Sequence, residues 1–220
     1  MADIKILYED GEALVIDKPS GMAVDRPRKG GICLEDHLER LKLGFQRPPV
    51  AVHRLDTDTS GCLLLARNPK ALARFNKAFE DRLVGKTYLA ILAGHPQSES
   101  GTIELSLSKI SSVEKGWRMI PAKKGKLAVS HWELVKELGP NSLIRFRPET
   151  GRTHQLRVHA LAGLGAALLG DPVYGAGSAG AAKRTMLHAE SLTLTRPGKT
   201  TIEARAGLPA DFVAFGAGDG

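Results

Sequence analysis

The stretch from Ala51 to Asn68, AVHRLDTDTSGCLLLARN, decides how the chain is read. Its first half, His53-Arg54-Leu55-Asp56-Thr57-Asp58-Thr59-Ser60-Gly61, is dense in charge and hydroxyls. Its second half, Cys62 to Ala66, is short, apolar and bounded by polar residues, long enough for a buried strand and too short for a typical globular helix. The pattern predicts a polar loop delivered onto the mouth of a core strand, which would hold charged side chains rigidly at a site. The same residues also fit a tight solvated turn with Arg54 and Asp56 as a surface ion pair.

Upstream, Ile4–Tyr8 and Ala13–Asp17 are β-rich around Glu9-Asp10-Gly11 and read as a hairpin. Lys18-Pro19-Ser20-Gly21 sets a fixed turn, and Asp25 to Gly31 is a flexible basic loop. Leu34, Leu38 and Leu41 predict an amphipathic helix over 33–43. Downstream, Asn68 is a good N-cap with Pro69 in the first turn, and Leu72, Phe75, Phe79 and Leu83 continue a helical stripe. The segment 86–93 reads as a strand with Lys86 and Tyr88 on one face and Thr87, Leu89 and Ile91 on the other.

Further strands are predicted at 103–107, 128–138, 143–146, 186–195 and 201–206. Between the first two of these, Lys109 to Lys126 is basic around Trp117, either a grip for a nucleic-acid strand or a hairpin tip. A second polar concentration runs from Glu149 to Ala160. Thr150 or Thr153 is expected to cap a helix there that runs to about Leu164. Leu156 and Ala160 would share its buried side, and Arg157 would lie at the core boundary, where a guanidinium needs a carboxylate. Residues 175–180 read as a small-residue loop and 209–215 as a final turn. Many short strands with about three helices predict an α+β fold: a mixed, mainly antiparallel sheet core flanked by helices.

The 220 residues suit one domain over 1–220, with two lobes around a central cleft as a variant. Lys and Arg number 31 against 24 Asp and Glu, and the formal charge of +7 agrees with a polyanionic partner. The 2 cysteines, Cys33 and Cys62, give neither a disulfide framework nor a metal motif. No run approaches membrane-spanning length and the N-terminus is no signal peptide, so a cytoplasmic protein is expected, without membrane association. Phosphate-binding glycine loops, HExxH and a nucleophile elbow at Ser60 are absent. His154 and His159 stand at a spacing that points them apart on a helix, and no metal site is expected. What is left is Asp56 as a nucleophile or base with Arg and Tyr neighbours, and no cofactor.

With these residues in place, the chain resembles the RluA family of RNA pseudouridine synthases. The resemblance rests on Asp17-Lys18-Pro19-Ser20-Gly21, on His53-Arg54-Leu55-Asp56 with Thr59-Ser60-Gly61, and on Lys86-Thr87-Tyr88. It continues through Gly151-Arg152-Thr153-His154-Gln155-Leu156-Arg157-Val158-His159, Gly170-Asp171 with Tyr174-Gly175, and Leu187-His188-Ala189. It implies the compact form of the family, with no room for the S4-like domain that many relatives carry in front. It implies isomerisation of uridine to pseudouridine in stem-loops of tRNA or large-subunit rRNA, with no cofactor and no obligate protein partner. Asp56 would be the catalytic carboxylate, either attacking the ribose anomeric carbon or removing the 2′ proton. Arg157 would pair with it, and Tyr88 would stack on the uracil and accept the C5 proton. Arg54 would fill the space left by the flipped nucleotide. Arg26, Arg28, Lys86 and Arg152 would contact phosphates. His53, Thr59, Gly61, His154, Gln155 and Leu187 would support the site. Asp58 competes with Asp56 in the bare sequence and is given a loop-holding role by the resemblance alone.

Two other readings carry weight. One is a non-catalytic RNA-binding or ribosome-assembly module on the same scaffold, against which intact Asp56, Tyr88 and Arg157 count. The other is an aspartate-dependent glycoside hydrolase, which lacks a convincing second carboxylate.

Overall fold

A computed structural model describes residues 4–27, 30–112, 116–175 and 181–218. In chain order its strands are β1 (Ile6–Glu9), β2 (Ala13–Lys18), β3 (Val50–Ala51), β4 (Ser60–Ala66), β5 (Val84–Leu92) and β6 (Ser100–Ser112). They continue with β7 (Gly116–Pro121), β8 (Lys126–Leu138), β9 (Asn141–Pro148), β10 (Leu187–Arg196) and β11 (Lys199–Arg205). The helices are α1 (Pro69–Glu80), α2 (Gln155–Leu164) and α3 (Ala210–Ala214). The described residues form two compact units, the first comprising the chain up to Lys86 with His188–Gly207, the second Thr87–Leu187 with Leu208 onward.

In the first unit the strand order is β1-β2-β4-β10, with β3 beside β4 and β11 beside β10. Strand β4 is buried along its whole length, as its apolar run predicts. Its neighbour β2 is antiparallel and carries Ala13 to Ile16 at 0 % exposure, so the two strands share a sealed core. Strand β10 runs parallel to β4, with His188 opposite Ser60 and Ala189 opposite Gly61. Helix α1 starts where the sequence places it: the Asn68 side chain accepts from the Ala71 amide at 2.9 Å, with Pro69 in the first turn. The segment 33–43 differs from expectation. It forms two 3₁₀ turns, Leu34–His37 and Arg40–Lys42, rather than one helix. The amides of Leu38 and Leu41 bond to the carbonyls of Glu35 and Leu38, three residues back, and Leu43 turns left-handed at φ 49°. The leucine spacing still buries Leu34 and Leu41, because a 3₁₀ turn also returns every third side chain to one face.

The second unit is an antiparallel sheet in the order β5-β9-β8-β6-β7. Strand β5 is buried on both faces from Leu89 to Leu92. Ala90 and Leu92 of β5 pack with Ile144, Phe146, Leu156, Ala160 and Leu164 on the α2 side, and Tyr88 packs against that cluster. Leu89 and Ile91 point the other way, into a cluster with Phe212 of α3. The two faces of β5 are those the period-two pattern assigns. The expected mixed, mainly antiparallel α+β fold is therefore the one observed.

Gly61 is the tightest backbone contact of the first unit. Its φ is +105°, and a Cβ there would stand 2.2 Å from the carbonyl oxygen of Ala189. Gly61→Ala is expected to cost about 3 kcal/mol or more, because strain and overlap act together. A urea midpoint within experimental error of the parent would contradict this.

Candidate active site

The loop carrying Asp56 is tied down by the turn that precedes it in sequence. Lys18, at 0 % exposure, ends β2 and turns its ammonium inward. Its Nζ donates to the carbonyls of Pro19 at 2.9 Å, Met22 at 2.8 Å and Thr57 at 3.2 Å. The Gly21 amide donates to the same Thr57 carbonyl at 2.9 Å, and the Ser20 hydroxyl donates to the Asp58 carbonyl at 2.8 Å. The Thr59 amide closes the loop on the Asp56 carbonyl at 3.0 Å. Leu55 and Thr59 are buried on either side of a half-buried Asp56. Backbone at three consecutive positions, 56 to 58, is thus hydrogen-bonded to a partner, which fixes where the carboxylate projects. This is a braced loop, not a merely solvated turn.

The residues around it fall into a supporting layer. His53 accepts the Leu64 amide of β4 on Nε2 at 3.1 Å and stacks on Phe79 of α1 at 4.7 Å between ring centres. Burial, with the charge of Lys86 nearby, pushes the His53 imidazole down to about 3, so the ring is neutral and Nδ1 carries its proton. Lys86 lies over the other partner of this stack, 5.7 Å from the Phe79 ring centre, and burial lowers its ammonium below the ordinary lysine value. The Ser60 hydroxyl shares a 2.9 Å hydrogen bond with His188 Nδ1. Arg54 projects outward, and its ion-pair partner is Asp25 at 3.1 Å rather than Asp56. Its side chain is 78 % exposed, so this pair contributes at most about 1 kcal/mol. Arg26 meets Glu35 and Asp36, again at the surface. Arg28 lies outside the described residues.

In the second unit several of the candidate side chains gather at the start of α2. Arg157 is buried and forms a two-pronged pair with Asp171, Nε to Oδ2 at 2.7 Å and Nη2 to Oδ1 at 2.8 Å. Burial alone would raise the Asp171 carboxyl. The hydrogen bonds and charge of Arg157, with the Tyr174 and Val173 amides, outweigh it and hold the group below the usual carboxylate range. Asp171 thus gives the buried Arg157 a carboxylate partner within its own unit. Asp171 belongs to the Gly170-Asp171 motif, and nothing in the sequence alone assigns it this role. The Tyr174 ring lies 5.1 Å from the Arg157 guanidinium, and its hydroxyl shares a 3.0 Å hydrogen bond with His154 Nδ1.

Helix α2 opens differently from expectation. Neither Thr150 nor Thr153 caps it: the N-cap is His154, left-handed at φ 53°, with no side-chain cap. Thr150 is committed elsewhere, accepting the Val129 amide at 2.9 Å and donating to Gln155 Oε1 at 2.7 Å. The same Gln155 oxygen accepts the Arg152 amide at 2.9 Å. Gln155 Nε2 donates to the Val129 carbonyl and the Ser130 hydroxyl, both at 2.9 Å. One buried amide side chain thus fastens the helix entry to β8. Arg152 donates from Nε to the Leu127 carbonyl at 3.0 Å. Tyr88 and Leu187 join the apolar cluster under α2 with Leu156. Among the described residues, no group of three or more His, Cys, Asp or Glu is disposed to hold a metal, and no helix is long and apolar enough to cross a membrane.

Comparison with known proteins fits this arrangement. Residues 12–162, which include the braced Asp56 loop, β5 and most of α2, match the RNA pseudouridylate synthase family. The chain belongs to the RluA family of RNA pseudouridine synthases. It is 51% identical over 212 residues to an uncharacterized RNA pseudouridine synthase of Zymomonas mobilis, covering 96% of this chain and 97% of the relative. It is 36% identical over 230 residues to ribosomal large subunit pseudouridine synthase D of the same organism, covering 95% and 70%. Among solved structures, human RNA pseudouridylate synthase domain containing 4 superposes with a TM-score of 0.78 at 27% identity, covering 96% of this chain and 90% of that one. The synthase is an isomerase that converts uridine in RNA to pseudouridine.

Two measurements test the supporting layer. Lys18→Met keeps the volume of the side chain and removes its donors, leaving three carbonyls without the ammonium. The synthase should lose about 3 kcal/mol in urea denaturation, since each orphaned buried acceptor costs about 1–3 kcal/mol; parental stability would show that the bracing contributes nothing. The pH dependence has a definite sign. His53 and His159 fall from 6.5 to about 3 and about 4, so the folded state resists the protons that the unfolded state accepts. Their contribution is complete above pH 6.5 and declines as the pH falls toward those values. The paired carboxylates Asp171 and Asp211 are lowered from 3.8, and lose their contribution only below it. Stability should therefore already decline between pH 6.5 and 4, and His159→Leu should flatten that slope.

Proposed function

We propose that Asp56 is the catalytic carboxylate of the synthase and that Arg157 and Tyr88 serve it. The observation that carries this reading is the bracing of the Asp56 loop: Lys18, Ser20 and Gly21 all spend hydrogen bonds on its backbone. Such outlay fixes a side chain that must meet a reacting atom in one geometry. The isomerisation is balanced without a cofactor. The N1–C1′ bond breaks, the uracil turns while held, C5 bonds to C1′, and the C5 proton leaves while N1 gains one. In this reading an ionised Asp56 acts at the ribose, by attack at C1′ or removal of the 2′ proton. Tyr88, half-buried against the α2 cluster, offers a ring face to the uracil and a hydroxyl for the C5 proton. Arg157, oriented by Asp171, presents a fixed positive charge. The target uridine must leave its stack to be reached, and Arg54, exposed on the same loop as Asp56, is suited to fill the space it vacates. Lys86, Arg152, Arg26 and Arg28 are assigned to the phosphates.

The substrate we favour is a uridine in a stem-loop of large-subunit rRNA, with tRNA as the other member of the class. Support comes from the relatives named as ribosomal large subunit pseudouridine synthases D and C, at 36% and 35% identity. A cytoplasmic site of action agrees with two buried, free thiols.

Asp56→Asn should lower pseudouridine formation about a thousandfold or more while changing stability by less than about 1 kcal/mol. Turnover is read on stem-loop transcripts by chemical detection of pseudouridine, and the position by mapping RNA from cells with and without the gene. Full activity in the variant would remove Asp56 from the chemistry; loss of a tRNA site alone from the map would remove rRNA as the substrate.

A further inference from the structure

Trp117 is the feature that the catalytic reading leaves unused. It lies on β7, the edge strand of the second unit, and is 46% exposed. The neighbouring aromatic surface is built, not accidental. The indole stacks on His154 at 4.8 Å between centres with the planes 30° apart. Lys109 of the paired strand places its ammonium 5.1 Å from the indole centre. His154 is held edge-on by Tyr174 at 5.6 Å and by the hydrogen bond from ring to hydroxyl. The Tyr174 hydroxyl also accepts the Met119 amide at 2.9 Å, which fixes β7 itself. His154 keeps a left-handed backbone at φ 53°, a conformation that costs a residue with a Cβ about 1 kcal/mol or more. An indole left this open forgoes part of the burial that would stabilise the fold.

The surroundings select the ligand. Between Leu105 and Trp132 the sequence has six Lys or Arg residues and a single acid, Glu114. Lys109, Arg118, Lys123, Lys124 and Lys126 are the described members of that set. An aromatic face among cations suits a single-stranded polyanion with flat bases, where every base can stack and phosphates meet the lysines. We propose that Trp117 is a stacking platform for an unpaired base of the substrate RNA other than the target uridine, with Lys109 at an adjoining phosphate. The inference rests on the synthase reading for its substrate and deepens it. Three consecutive contacts run Trp117–His154, His154–Tyr174 and Tyr174–Arg157, so a base held on the indole is registered against the guanidinium that Asp171 orients. Trp117 is a positioning residue: it places RNA and touches no reacting atom.

Trp117→Ala should raise KM for a stem-loop transcript about tenfold, within the range of one lost base–aromatic stack, and change kcat by less than about twofold. Trp117→Phe should recover most of the loss. Lys109→Ala should reduce the salt dependence of RNA affinity by about one phosphate contact. Oligouridylate should quench the tryptophan fluorescence of the wild-type protein, since the other tryptophan, Trp132, is buried, and should not quench Trp117→Phe. An unchanged KM in Trp117→Ala overturns the proposal, as does a fall in kcat and thermal stability at constant KM, which marks a packing role. The quenching does not require turnover. A protein that forms no pseudouridine yet is quenched through Trp117 would sink the catalytic reading and leave the platform standing.

Discussion

A single buried ammonium organises the first unit. Lys18 has no exposure, and an isolated charge there would be far too costly to keep. Carbonyls of Pro19, Met22 and Thr57 solvate it in place of water. Because those carbonyls belong to two different loops, satisfying the charge joins the loops. The turn after β2 and the loop before β4 then become one object, tied also by the Gly21 amide to the Thr57 carbonyl and by the Ser20 hydroxyl to the Asp58 carbonyl. A side chain on such a support is held in one place in advance, the condition that catalysis by a fixed charge would require of Asp56.

The second unit meets the same problem, a buried cation, by different means. A buried guanidinium, Arg157, is balanced by a carboxylate with 0 % exposure, Asp171, whose remaining lone pairs take the amides of Val173 and Tyr174. Removing one partner of such a pair leaves the other charge stranded, so the two are maintained together. Gln155 performs the comparable service for neutral groups, satisfying β8 and the Arg152 amide from one side chain. Lys18, Arg157 and Gln155 are thus each buried together with hydrogen-bonding partners.

Much of this was legible in the sequence where local rules dominate. The β4 run, the Asn68-Pro69 helix start and the two faces of β5 follow from periodicity and capping, which depend on near neighbours. The 33–43 segment was misread because apolar spacing fits a 3₁₀ turn as well as an α-helix, and the left-handed Leu43 has no sequence signal. The α2 start was misplaced because Thr150 is claimed by Val129, a partner 21 residues away. The same distance problem hid Asp171 as a partner of Arg157 and Lys18 as a brace of the Asp56 loop. Both residues stood in quoted motifs, yet a motif names residues without saying which of them meet. Trp117 was seen as an aromatic among cations; only the structure shows that His154 lies beneath it.

Strand β4 carries one more group, Cys62, directly after Gly61. Its sulfur lies 3.5 Å from the Glu190 carbonyl and 3.7 Å from that of Ala204, and burial pushes the thiol up to about 12. Reaction with an alkylating or oxidising agent needs a thiolate, which this environment withholds at neutral pH. Modification must therefore wait until β4 separates from its neighbours and water reaches the sulfur. Cys62 is a built-in clock for breathing of the very strand that supports Asp56, and its labelling rate would time how often the floor of that loop gives way.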